Sequence, residues 1–153
     1  MKRWLMVLLM AMLPVVELRG AVPFGLGLGL PHLPVLLVSI LGNMIPVPFV
    51  ILFSRCAFRW MRRHIPCLGR LADRLEARAE KKSGLIRRYR LLGLYLFVAI
   101  PLPGTGAWTG ALVAALMDIR LKRAIPAILI GVLIAGLLVT LACTGVRALA
   151  FLT

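Results

Sequence analysis

Long apolar runs separated by short charged blocks set the pattern of this chain. Gly20–Ser54, Leu91–Met117 and Ala124–Val146 each lack Asp, Glu, Lys and Arg altogether. A helix rises 1.5 Å per residue, so about 20 residues cross a hydrocarbon core of roughly 30 Å. The second and third runs suit one crossing each, and the first is too long for a single simple span. Pro31-His32-Leu33-Pro34 divides it, because proline cannot donate to a helix and turns the preceding residue away from helical geometry. A turn at a membrane surface is expected there, with His32 a surface residue and Leu33–Phe53 the span that follows. Ala124–Val146 is the corresponding span near the other end.

The remaining apolar stretches are interrupted. Lys2 and Arg3 precede a run of about 13 apolar residues, the layout of a signal peptide. No small-x-small cleavage site follows, however: Glu17-Leu18-Arg19 stands in its place and apolar character resumes at once. Met1–Gly20 therefore reads as a retained half-helix. Glu17 to Pro23 places two opposite charges, a glycine and a proline inside an apolar stretch, with Gly25, Gly27 and Gly29 beyond, which predicts a broken element. The run Leu91–Met117 is flanked by Arg87, Arg88 and Arg90 on one side and by Arg120, Lys122 and Arg123 on the other. Both ends then lie on one side of the membrane, and Pro101-Leu102-Pro103-Gly104-Thr105-Gly106 supplies the residues of a hairpin tip. A re-entrant hairpin follows, its tip facing the protein interior, where its backbone polar groups can be satisfied. A proline-kinked full span is the alternative.

Composition changes the picture in one direction. Of 153 residues, 61% are hydrophobic and 16% charged, with a mean hydropathy of +0.98; a soluble domain has about 25% charged residues. The fold class is thus an all-α integral membrane protein with several spans. Two interrupted segments, each ahead of a longer span, predict an inverted repeat whose site lies between the tips near the midplane. The expected organisation is a first membrane repeat over 1–54, a basic loop over 55–90 and a second membrane repeat over 91–153. Lys2 and Arg3 sit awkwardly with strict inversion, since they favour the cytoplasm.

The net charge of +14 raises the question of nucleic acid, but it is confined to blocks rather than spread over a soluble surface. Arg55–Arg90 alone holds twelve basic and three acidic residues. Such an excess places the loop in the cytoplasm and the protein in the inner or plasma membrane. Within it Leu68, Leu71, Ala72, Leu75 and Ala79 share one helical face beside Arg70, Arg74 and Arg78, an amphipathic helix ending near Gly84. That helix suits anionic lipid, or else a solvated connector. Cys56, Cys67 and Cys143 imply no disulfide framework, and Cys56, His64 and Cys67 lack metal-site spacing. No cofactor or metal is expected, and no triad, carboxylate pair or phosphate loop suggests an enzyme. Ala127, Gly131 and Ala135 recur every four residues and suit close helix packing within the chain or in a homo-oligomer.

Three blocks carry a resemblance: Pro14 to Pro23; Gly42-Asn43 with Pro46 and Pro48; and Ile100 to Ala111. Together they resemble the small multidrug export protein family over nearly the whole chain. More distantly the pattern is similar to the DedA or SNARE-associated (VTT) superfamily, a resemblance that implies re-entrant hairpins and transport of lipids such as undecaprenyl phosphate. Glu17 matches the acidic position of the first DedA hairpin. Val98 and Gly104 stand where DedA proteins carry arginines around the second tip, a departure that bears on any anionic-headgroup site.

Chemistry selects the candidate residues. A charged carboxylate within a membrane is costly, so Glu17 should either pair, with Arg19 nearest in sequence, or hold and release a proton. Two residues apart on a helix they would not face each other, though across a broken tip they could. Pro23, Pro101, Pro103 and Gly104 are expected to shape the tips; Asn43, Thr105 and Thr109 are polar ligands or interhelical hydrogen bonders. Trp108 suits either substrate stacking or a membrane-interface belt. The expected function is a small secondary transporter of lipid-like or amphipathic cargo, with membrane lipids as surroundings and protons as the coupling ion. The alternative is a non-transporting scaffold that binds lipid through its basic loop.

Overall fold

A computed structural model describes residues 1–64, 83–101 and 104–150. The described residues form seven helices: α1 (Lys2–Met12), α2 (Glu17–Gly27), α3 (His32–Met44), α4 (Pro46–His64), α5 (Ser83–Ala99), α6 (Ala107–Leu116) and α7 (Leu121–Ala150). Every described element is helical, as the apolar pattern requires. The amphipathic helix expected over Leu68–Ala79, with Cys67, lies outside the described residues, as do Leu102 and Pro103.

Among the described residues, two stretches are long and apolar enough to cross a membrane. One is His32–Met61, which runs through α3 and α4 with a bend where Pro46 withholds its donor; the other is Leu121–Gly145 in α7. The first helical stretch continues through Arg55 to His64, so the opening of the basic block is a helical extension of the span. By contrast α1 and α2 have 11 residues each and α6 has 10. The break in the first half falls at Leu13–Val16, ahead of the expected interruption, and Glu17 to Pro23 is helical. Pro23 lies inside α2 at its seventh position, where it can donate no ladder bond.

The turn between α2 and α3 and the turn between α6 and α7 are built alike. Leu28, Gly29 and Leu30 donate backbone N–H groups to Phe24, Leu26 and Gly25, and Met117, Asp118 and Ile119 donate to Val113, Ala115 and Ala114. All six pairs keep one constant sequence offset. Gly29 and Asp118 both take left-handed backbone geometry, with φ of 76° and 48°. These bonds satisfy carbonyls at each helix end that have no partner in their own ladder. The sequence places this turn at Pro31–Pro34, whereas the chain turns at Leu28–Pro31 and Pro34 sits in the first turn of α3, where its missing N–H costs nothing.

Packing repeats in the same way. α1 packs on α3, and α5 on α7. At the first crossing a Cβ on Gly42 would lie 2.7 Å from the Leu8 carbonyl oxygen and 2.9 Å from Ala11 Cβ; at the second, one on Gly131 would lie 2.8 Å from the Tyr95 oxygen and 2.7 Å from Val98 Cβ. Glycine at each crossing lets two backbones touch, which favours association where lipid supplies no hydrophobic drive. Ala127, Gly131 and Ala135 accordingly face inward, within the chain. The short helices then bridge the halves: α2 packs on α7 and α6 on α4. A core shared by the two halves results, with Leu18, Val22, Ile51, Leu94, Val98, Ala111, Ile128 and Val132 among its members, and a smaller cluster of Val7, Ala11, Ala21 and Val35 packs beside it under α1.

Candidate functional site

The N-terminal ends of α2 and α6 meet inside this core. Glu17 opens α2 with φ of 48°, a left-handed geometry that costs an L-residue on the order of 1 kcal/mol. That geometry turns its carboxylate across to the other half. Oε1 accepts the backbone N–H of Trp108 at 3.1 Å, at the end of α6 where unpaired N–H groups favour negative charge. Oε2 lies directly over Gly106, in the space that a Cβ there would fill. Glu17 itself is 7% exposed.

Arg19 reaches the opposite tip from the same turn of α2. Its Nη2 donates to the Ile100 carbonyl at 3.1 Å and to Thr105 Oγ1 at 2.9 Å, and the Thr105 hydroxyl donates to the same Ile100 carbonyl at 2.8 Å. This closes a small ring that ties the end of α5 to the start of α2. Trp108 crosses in the other direction, its Nε1 donating to the Met12 carbonyl at the end of α1, 3.1 Å away. Thr109 supports α6 from within, its hydroxyl accepting the Gly106 N–H at 2.8 Å. Gly104, with φ of 86°, makes the turn that brings Thr105 and Gly106 into place.

A small cavity lies at the junction, with room for about one water molecule. Glu17, Leu18, Arg19 and Asn43 line it from the first half, and Val98, Gly106, Ala107, Val132 and Ala135 from the second. Asn43 is buried with its Oδ1 unpartnered, and so is Ser39 Oγ one turn earlier on α3. A buried amide without a partner is costly, and Asn43 borders a cavity that can supply one.

Glu17, Arg19, Asn43, Thr105 and Trp108 are thus brought together, with Gly104 shaping the tip beside them. Pro23 and Pro101 are exposed and do not line the cavity, and Pro103 is outside the described residues. Sequence reasoning missed Gly106 as the residue beneath the carboxylate, and Leu18, Val132 and Ala135 as cavity walls. It also missed that Arg19 and Trp108 each donate to a main-chain carbonyl of the other half. Only for Gly106 was there a sequence signal, the second glycine of the Pro-Gly-Thr-Gly tip.

The fold and site together define a small helical protein suited to a membrane, with its polar side chains gathered where two short-helix tips meet. Residues 17–138 match the family model described as putative small multi-drug export protein, and the chain belongs to that family. Its membership is in a transporter-type family, not an enzyme family. No curated protein and no solved structure matches the chain.

Proposed function

We propose that this protein is a small secondary transporter that exports lipid-like or amphipathic molecules through a membrane, with Glu17 coupling movement to protons. The observation that carries this reading is the carboxylate of Glu17, buried at the junction of two hairpin tips and held across the boundary between the halves. A group that can exchange a proton there links its charge to the contact between halves, as alternating access requires.

The hairpins are read as re-entrant. Helices of 10 and 11 residues extend only about 15–17 Å, half of a hydrocarbon core, and α5, although 17 residues long, is free of charge only over Leu91–Ala99, beyond Arg90. On this reading α1–α2 and α5–α6 enter and return, while His32–Met61 and Leu121–Gly145 cross. The like-built turns, the paired glycine crossings and the reciprocal bridging of α2 and α6 support an inverted repeat. Its pseudo-two-fold axis passes between Glu17 and Gly106, which are repeat mates at the offset of the two turns. The basic block faces the cytoplasm in this arrangement.

Proteoliposomes with an imposed proton gradient test the reading, with a fluorescent amphipathic cation and a labelled lipid as alternative cargoes. Wild type should move one of them with a pH-dependent rate. Glu17→Gln keeps size and hydrogen bonding, and should insert normally yet lose the pH dependence. Full pH-dependent transport in Glu17→Gln removes Glu17 from the coupling role, and no movement of either cargo by wild type favours a lipid-binding scaffold.

A further inference from the structure

Midway along α4, three turns from the cavity, one side chain ties the two halves together. Arg55 donates from Nη2 to the Ile119 carbonyl in a close contact, and its Nε lies 3.8 Å from Asp118 Oδ1. The Arg55 side chain is 19% exposed and that of Asp118 is 77% exposed. Asn43 at the cavity and Arg55 are separated by three turns of helix, about 18 Å.

Between those points α4 rests on a smooth surface. Val47, Ile51 and Ser54 are buried on the α4 side, and the buried residues of α6 are Ala107, Gly110, Ala111, Ala114 and Ala115. Small side chains interlock little, so such a contact can shear as packed helices slide. Among the described residues, the contacts of Arg55 are the only polar ones joining α4 to the α6–α7 turn. Apart from Ser54 the interface is apolar and shallow along its length, and it is pinned at its end.

Asp118 carries a second mark. Its φ of 48° places it at the left-handed position of the turn, where its counterpart in the first half is Gly29. Glycine holds that geometry without cost and aspartate does not. The far end of the molecule lacks an equivalent pin: the residue of α7 at the repeat position of Arg55 is Thr144, whose hydroxyl donates to Thr140 O at 3.0 Å within its own helix. Backbone strain is thus retained at one end only, where a carboxylate meets an arginine from the other half.

We propose that Arg55 and Asp118 form a latch that closes the cavity toward the basic end, and that its release lets α4 slide over α6 and opens the cavity to that side. The proposal rests on the transporter reading above and adds to it which contact gates access.

Access can be measured without any cargo. In the full-length chain with its native cysteines replaced by serine, Ala135→Cys places one thiol in the cavity wall. Its reaction with a membrane-impermeant maleimide is followed from the basic face in inside-out vesicles. Arg55→Gln and Asp118→Asn should each raise the labelling rate by roughly five-fold, the scale of a partly exposed ion pair. The double variant should label no faster than the singles, and Arg55→Asp with Asp118→Arg should return toward the parent rate. Asp118→Gly is decisive where another variant inserts poorly, because it supplies the residue that the turn geometry favours. The latch predicts faster labelling in it at unchanged or higher thermal stability. Labelling at the parent rate in Asp118→Gly overturns the proposal, as does a rise confined to unfolded protein. Failure of the transport assay with faster labelling here would count against the transporter reading and leave the latch standing.

Discussion

Arg19 and Trp108 keep the sequence offset that relates the two helix turns, and each donates a side-chain N–H to a main-chain carbonyl of the other half: Arg19 to Ile100 O and Trp108 to Met12 O, both at 3.1 Å. The exchange is reciprocal although the residues are chemically unlike. Each carbonyl lies at or just past a helix C-terminus, where the ladder has run out of donors. The two tips are thereby clasped into one unit, and the cavity sits inside the clasp.

Breaking one arm of the clasp should cost stability without unfolding the bundle. Trp108→Phe keeps an aromatic ring but leaves the Met12 carbonyl without its donor, a loss of about 1–3 kcal/mol for a buried group. Thermal unfolding in detergent should show a lowered midpoint. If the loss from Trp108→Phe with Arg19→Gln simply equals the two single losses added, the tips are held independently and the single-unit description fails.

Gly106→Ala tests the fit of the carboxylate. The added methyl would occupy the place of Glu17 Oε2, so the Glu17 side chain must leave its bond with Trp108 or α6 must shift. Either response should abolish pH-dependent transport and lower thermal stability by about 1–3 kcal/mol, the usual scale of overpacking. Glu17→Ala in the same chain frees that space and should recover much of the stability but none of the pH dependence. Unaltered stability in Gly106→Ala alone would show that the tips are loosely packed.

Topology is open to direct measurement. Single cysteines at Arg59 and at Lys122 should react with an impermeant reagent from the same, cytoplasmic side, because in the re-entrant arrangement only the α5–α6 hairpin, among the described residues, separates α4 from the start of α7, and a hairpin returns the chain to the side it left. Labelling of Lys122→Cys from the outer face alone would convert α5–α6 into a kinked full span.

The sequence by itself determined that the protein is helical and suited to a membrane, and that its apolar runs are broken by prolines and glycines, but not where each break falls. Charge-free runs too apolar for water require lipid, and prolines and glycines that cannot continue a helix mark the breaks; both are local properties, legible without coordinates. Glu17, Arg19, Thr105 and Trp108 were legible for the same reason, as polar or amphipathic residues beside a break in an apolar run. Even so, the first break lies at Leu13–Val16 and not at Glu17–Pro23: an isolated charge and a proline look disruptive in sequence, yet α2 opens on Glu17 and carries Pro23 inside the helix. The tertiary structure alone decided that Glu17 faces Gly106, that Arg19 and Trp108 each bond main chain of the other half, and that Arg55 meets Asp118. Each of these joins residues from different halves of the chain. Such pairs are set by how two helices approach at a glycine, a distance of a few ångströms that no local pattern of side chains encodes.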